Sequence, residues 1–342
     1  MGGTGFIGSA VVRELLKPAS TGAPAGDLLV LSRRELPGWM TSAGARGRPG
    51  DLMNPESLRH CAEGVDTVLH LASHVGRDPG LCEAVNAAGT RALVRAARGA
   101  RFLYVSTASV YGTGPHRGAK EGKLTPAPAS AASASRLRAE ETVRAQGGIV
   151  LRPNLVYGAG DRWFVPSLLR LLWKVPVWAE GGRARSSLVS VQELARVVAE
   201  FARREWSGAD RGAVYHVNHP RPVTVRSIAT QVCRGLALPV PATDLPRSAH
   251  WELSSRVLPG LTRHQHALLT DDHFYESGRV WQRLGIDPGP GFAAGLIPGL
   301  PWYRQYAADH GSAPTGRRSG AAASWPGAPR CGAAGGSSPA PL

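Results

Sequence analysis

The stretch Gly2-Gly3-Thr4-Gly5-Phe6-Ile7-Gly8 runs straight into the helical pattern of Ser9–Leu16. A G-x-x-G-x-x-G turn opening a helix constrains the fold strongly. Its glycines let the backbone turn tightly and approach a pyrophosphate, while the helix N-terminus offers free N–H groups and a positive dipole end. A glycine-rich turn alone is a weak signal, but the sequence that follows agrees with it. Short apolar runs at Leu28–Leu31, Val65–Leu71, Phe102–Ser106 and Ile149–Leu151 alternate with helical stretches at Pro55–Ala62, Cys82–Ala97 and Ser135–Ala145. That alternation predicts an α/β fold, a doubly wound parallel sheet covered by helices on both faces.

The strand that should lead into the glycine turn is missing, because the turn starts at residue 2. In a doubly wound sheet that strand is central, so the expectation is a truncated first strand with the true start upstream. Texture divides the rest. Residues 1–155 read as the dinucleotide-binding domain, and 156–308 as a substrate lobe partly interleaved with it. Residues 309–342, rich in Gly, Ala, Pro and Ser, read as a disordered tail.

Forty Lys and Arg against 25 Asp and Glu give a formal charge of +15. The basic residues are scattered, and no nucleic-acid-binding motif accompanies them, so the expected partner is an anionic small molecule rather than nucleic acid. No run of about 18 apolar residues and no secretory pattern is present, which leads to the expectation of a cytoplasmic protein without a membrane partner. Cys61, Cys82, Cys233 and Cys331 form no C-x-x-C pair, so neither a metal site nor a disulfide framework is expected.

The second apolar run ends in Ser32-Arg33-Arg34. NAD sites usually carry an acidic residue there for the ribose hydroxyls. A serine and two guanidiniums suit a 2′-phosphate by charge and by bidentate geometry, so NADPH is the expected cofactor and NADH the alternative.

On ordered motifs the chain resembles the extended short-chain dehydrogenase/reductases, the group that holds nucleotide-sugar epimerases, dehydratases and many ketoreductases. After the glycine loop come Asp51-Leu52, His70-Leu71-Ala72-Ser73, Asn86-x-x-Gly89-Thr90, Ser106-Thr107-Ala108-Ser109-Val110-Tyr111-Gly112 and Arg152-Pro153-Asn154-Leu155-Val156-Tyr157-Gly158-Ala159-Gly160-Asp161. The resemblance implies a Rossmann domain with a smaller C-terminal lobe. It implies cofactor contacts from Gly2, Thr4, Gly5, Phe6, Ile7, Ser32, Arg33 and Arg34. Further contacts are implied for Asp51 and Leu52 at the adenine, for Leu71, Ala72 and Ser73, and for Pro153, Asn154 and Leu155 beside the nicotinamide. Family members often pair through a two-helix contact, which leaves a homodimer open.

The family's chemistry uses a Ser or Thr, a Tyr and a Lys. Thr107 stands at the hydroxyl position, which holds the substrate oxygen. In the stretch that should carry Y-x-x-x-K, aligned on Ser135 and Glu140, the tyrosine position is Ala132 and the lysine position is Arg136. The proton donor is absent. Arg136 can hold ribose hydroxyls but is no acid near neutral pH, since its pKa lies above about 12. Three options follow: a binding protein without turnover, a substitute donor among Ser133, Ser135, Thr107, His74 and Tyr111, or a substrate carrying its own donor.

Arg162-Trp163-Phe164 opens an apolar helical stretch where family members build the substrate wall, which favours a flat hydrophobic ligand. Ser73, Thr107, Ser109, Trp163 and Phe164 are the candidate substrate contacts. Trp251, Phe274, Tyr275 and Trp281 either extend that pocket or pack the lobe. Arg185 sits one position out of register with the arginine that nucleotide-sugar members use. The A-x-x-x-R replacement is similar to that of atypical family ketoreductases, which implies reduction of a ring ketone of an aromatic polyketide. A nucleotide-deoxysugar 4-ketoreductase or epimerase and a non-catalytic NADP(H)-binding regulator are the competing readings.

Overall fold

The computed structural model describes residues 1–18 and 26–311. A parallel sheet is built from β3 (Thr67–His70), β4 (Arg101–Val105), β5 (Ile149–Arg152) and β6 (Val214–His216), side by side in that order. A separate parallel pair joins β1 (Leu29–Ser32) to β2 (Arg46–Pro49). The glycine turn is tied to β3 through Met1, since the Leu71 N–H bonds to the Met1 carbonyl and the Met1 amino group to the Leu69 carbonyl, both at 2.9 Å. On the other side, a Cβ at Gly3 would meet Val30 of β1 at 2.8 Å. The predicted strands all form, within a residue or two of the expected limits.

Alternation along β4 explains the three layers. Leu103 and Val105 join one core, with Val11 of helix α1 (Phe6–Leu15) and Leu194, Val198 and Phe201 of the helix Val191–Arg203. Phe102 and Tyr104 face the other core, with Leu93 and Val94 of α2 (Gly89–Ala96) and Ala139 and Val143 of α3 (Ala131–Ala145). Successive residues of a strand point to opposite faces, so one strand serves both helix layers.

Two of the helices start at reciprocal side-chain caps. Ser130 and Ser133 form a reciprocal capping box at α3, as do Ser190 and Glu193 at Val191–Arg203. The first helix begins at Phe6 rather than Ser9. The expected helix Cys82–Ala97 is broken into a short turn, a π-helical segment Glu83–Ala88 and α2.

The substrate lobe is built on the helix Phe164–Lys174, with a core of Tyr157, Val165, Leu168, Trp178, Phe292 and Tyr303. A four-stranded sheet, which includes His116–Ala119 and His273–Tyr275, closes beside it. The expected tail from residue 309 is corrected at its start: the helix Leu300–His310 runs into it, because Tyr303 anchors that helix in the lobe core. The rest of that segment, Cys331 included, lies outside the described residues.

Candidate active site

The glycine turn has the shape that its chemistry needs. Gly2 adopts a φ of +87°, and a Cβ there would lie 2.5 Å from the Ala72 amide nitrogen. A Cβ at Gly8 would lie 2.0 Å from the Gly2 carbonyl oxygen. The loop, the His70–Ser73 turn and α1 therefore pack backbone to backbone. Gly5 precedes α1 without a side-chain cap. The first-turn N–H groups are thus left for an anion, with the dipole favouring negative charge. These residues fit a dinucleotide pyrophosphate.

Asp51 and Leu52, the expected adenine contacts, lie in a turn after the second strand. Asp51 accepts the Met53 N–H at 3.0 Å, and the Ser57 hydroxyl accepts the Asp51 N–H at 2.9 Å. Leu52 is buried against α2, where a Cβ at Gly89 would lie 2.7 Å from the Leu52 Cβ. That close approach explains the glycine of N-x-x-G-T. At the end of β1, the Ser32 hydroxyl accepts the Arg34 N–H at 3.3 Å, and the side chains of Arg33 and Arg34 are exposed.

Asn86, in the π-helical segment, clamps the loop after β3. Its side chain accepts the His74 N–H at 2.7 Å and donates to the His74 carbonyl and to the Ser135 hydroxyl, each at 2.9 Å. The extra residue of a π-turn re-aims a side chain, which fits its place here. Thr90 donates to the Asn86 carbonyl and bonds to His70 Nε2 at 2.9 Å.

Helix α3 presents Ala132 and Arg136. Arg136 donates to the Val105 carbonyl at 3.0 Å, at the C-terminal end of β4. Its Nε is buried without a partner. A guanidinium at a strand end with unspent N–H groups fits ribose hydroxyls. Thr107 caps the short helix Ala108–Tyr111, accepting the Ser109 N–H at 3.1 Å and donating to the Ser109 hydroxyl at 3.2 Å.

The proposed substitute donors on α3 are otherwise engaged. Ser133 is bound to Ser130, and Ser135 donates to the Ala132 carbonyl at 3.1 Å. Both are buried. Tyr111 is also committed: its hydroxyl accepts an N–H bond from Arg152 at 2.8 Å and bonds to His216 Nε2 at 2.7 Å. Arg152 is itself paired with Glu140, with both side chains buried. The His74 ring lies over Gly76, where a Cβ would be 2.2 Å from Nε2.

Asn154 spends its side chain on the Ser187 and His273 carbonyls, at 3.0 and 3.2 Å. Pro153 accepts the Ala108 N–H at 2.8 Å, and the Leu155 N–H bonds to the Ser187 carbonyl. These residues hold the nicotinamide-side segment to the hydroxyl-bearing turn and to the lobe. Asp161, fully buried, accepts N–H bonds from Trp163, Phe164 and Val165 at 2.8–2.9 Å and the Tyr303 hydroxyl at 3.1 Å. Burial pushes its carboxyl pKa up, and these donors oppose the shift. Trp163 is left 44% exposed beside half-buried Phe164. A Cβ at Gly160 would lie 3.3 Å from Phe6, which places this turn against the start of α1.

Sequence reasoning missed Tyr303 as the partner of Asp161; only the acidic residue ending Y-G-A-G-D hinted at a cap. Of the aromatic candidates, Trp281 and Tyr275 are buried in the core, and Trp281 donates to the Asn218 carbonyl at 2.8 Å. Phe274 lies under the Arg185 guanidinium, 4.1 Å from its ring centre, and Trp251 packs edge-on against His266.

This fold and site define an NAD(P)-binding oxidoreductase of Rossmann type. The chain belongs to the NAD dependent epimerase/dehydratase family, whose model matches residues 1–217. It is 27% identical over 329 residues to a dTDP-glucose 4,6-dehydratase of Streptomyces niveus, covering 89% of this chain and 91% of that one. It is 28% identical over 261 residues to the 4-hydroxy-2-methyl-3-oxo-4-farnesyl-3,4-dihydroquinoline-1-oxide ketoreductase of Stigmatella aurantiaca, covering 72% and 75%. Among solved structures, it superposes on a dTDP-glucose 4,6-dehydratase double mutant of Streptomyces venezuelae, solved with NAD bound. The TM-score is 0.70 and the identity 23%, over 90% of this chain and 96% of the other. No helix among the described residues is long and apolar enough to cross a membrane.

Proposed function

We propose that this protein is an NADPH-dependent ketoreductase that reduces a ring ketone, the C-7 carbonyl of an angucyclinone polyketide, to the alcohol. The observation that carries this reading is the α3 face itself: Ala132 stands where a phenol is needed, Arg136 lies one turn on, and Ser133 and Ser135 are bound inside the helix. The A-x-x-x-R replacement resembles that of the simocyclinone C-7 ketoreductase. A ketoreductase of a bicyclic aromatic ketone among the relatives supports the same class of reaction.

Reduced nicotinamide bound here supplies hydride from its C4 to the ketone carbon. The chain's own residues bind, orient and exclude water. Ser109, oriented by Thr107, holds the ketone oxygen, Trp163 and Phe164 form the wall for the flat rings, and Arg136 holds the ribose. The developing alkoxide takes its hydrogen bond from a phenol adjacent to the ketone on the substrate. A pre-positioned intramolecular donor replaces a general acid worth about two to four decades of rate. Arg33 and Arg34, with no acidic residue at the end of β1, favour NADPH.

The test is NADPH oxidation with an angucyclinone ketone and with its analogue methylated at the neighbouring phenol. The parent is expected to turn over and the methyl ether to fail; equal rates would overturn substrate assistance. The nucleotide-deoxysugar alternative is favoured by the near full-length match to a dTDP-glucose dehydratase. A dTDP-ketosugar in the same panel, with products identified by mass, separates the two.

A further inference from the structure

Four buried side-chain atoms near the C-terminal ends of β3 and β4 lack a hydrogen-bond partner in the protein: His70 Nδ1, the Tyr104 hydroxyl, Ser106 Oγ and Arg136 Nε. They belong to one neighbourhood. His70 and Tyr104 are cross-strand neighbours with rings stacked at 5.1 Å between centroids. Arg136 bonds to the carbonyl of Val105, the residue between Tyr104 and Ser106. His70, Tyr104 and Ser106 are at most 1% exposed. An unpaired buried polar group is costly and rare, so four together call for an explanation.

Their chemistry is complementary. The Thr90 hydroxyl gives its proton to the Asn86 carbonyl and therefore accepts the His70 Nε2 proton. That tautomer leaves Nδ1 as a lone pair. Burial, with the charges of the amino terminus and Arg136 adding to it, lowers the His70 pKa to about 3, so the ring is neutral. Arg136 Nε is only a donor, and the two hydroxyls act either way. Burial raises the Tyr104 pKa although the Arg136 charge opposes it, so the phenol keeps its proton at neutral pH.

We propose that His70, Tyr104 and Ser106 form a buried polar seat beneath Arg136 and that Tyr104 is the positioning residue that fixes the guanidinium for the nicotinamide-side ribose. The proposal rests on the cofactor reading above. It accounts for arginine rather than lysine at this position. A planar guanidinium bonds to the Val105 carbonyl through Nη2 and lies close enough to the Tyr104 hydroxyl to oppose the rise in its pKa, and it still has N–H groups for a ligand. A single ammonium has one nitrogen for all three tasks.

Tyr104→Phe removes one oxygen and keeps the ring stack. The readout is the dissociation constant of NADPH and of 2′,5′-ADP, a fragment that lacks the nicotinamide ribose, with the melting temperature alongside. Tyr104→Phe is expected to weaken NADPH about tenfold, by removing a polar neighbour that holds the guanidinium in place, while 2′,5′-ADP binds unchanged. Arg136→Ala weakens NADPH, and the double variant is no weaker than Arg136→Ala alone. Unchanged NADPH binding in Tyr104→Phe, equal loss for both ligands, or multiplying losses in the double variant overturns the seat. Should Tyr104→Phe fail to fold, Ser106→Ala gives the same readout. A wild-type protein that binds neither ligand overturns the cofactor reading instead.

Discussion

Thr107 donates its hydroxyl proton to Ser109 at 3.2 Å and takes the Ser109 N–H at 3.1 Å in return. The Thr107 proton is therefore already placed, and the Ser109 hydroxyl keeps a free proton for a ligand. The hydroxyl that the family motif points to is the inner half of a pair.

Removing either half should separate chemistry from cofactor binding. Ser109→Ala is expected to lower kcat/KM about 100-fold, the lower end of what one lost oxyanion donor costs. Thr107→Val should lower it comparably, because the Ser109 hydroxyl loses its orientation. Both variants should bind NADPH normally, as checked by titration; a fall in cofactor affinity would contradict the assignment.

On the proposed NADPH reading, Arg33 and Arg34 set the preference over NADH. Arg33→Ala with Arg34→Ala should raise the NADPH KM at least tenfold and leave the NADH KM within about twofold, each lost charge-assisted bond amounting to about 1.5–3 kcal/mol. Initial rates with the two cofactors, before and after substitution, decide it.

Gly8→Ala is a test of backbone proximity rather than flexibility. The added methyl would sit 2.0 Å from the Gly2 carbonyl oxygen, closer than atoms can pack. The loop must move off α1, so dinucleotide binding by calorimetry should disappear even where the far-ultraviolet spectrum shows a folded protein.

Acid should weaken the fold through its buried histidines. Burial is the first cause that holds His266, bonded to His250 at 2.9 Å, down at a pKa of about 4. The unfolded chain takes up the proton near pH 6.5, so the unfolded state binds more protons between pH 6.5 and 4. Stability is complete above pH 6.5 and falls as the pH drops toward 4. The melting temperature should follow, and His266→Gln should show a shallower acid decline; an unchanged slope would exclude His266 as a contributor.

The parallel sheet and the cofactor turn were legible because their signals are local. Glycines at Gly2, Gly5 and Gly8 and runs such as Phe102–Ser106 need no distant partner to be read. The cap over Trp163 was not, since Tyr303 lies 142 positions from Asp161 and no spacing rule links them. Engagement of Ser133 and Ser135 was equally hidden. A serine in an Ala/Ser-rich stretch looks free until the capping box and the Asn86 bond are seen. The helix start at Phe6 escaped because an uncapped glycine N-terminus offers no side-chain signal.

Because one carboxylate receives both the Trp163–Val165 backbone and the hydroxyl of Tyr303, the proposed aromatic wall is tied to the helix Leu300–His310. On that reading, exchanging this helix would retune which ring systems fit, while the glycine turn, which makes none of these bonds, would go on gripping the nucleotide as before.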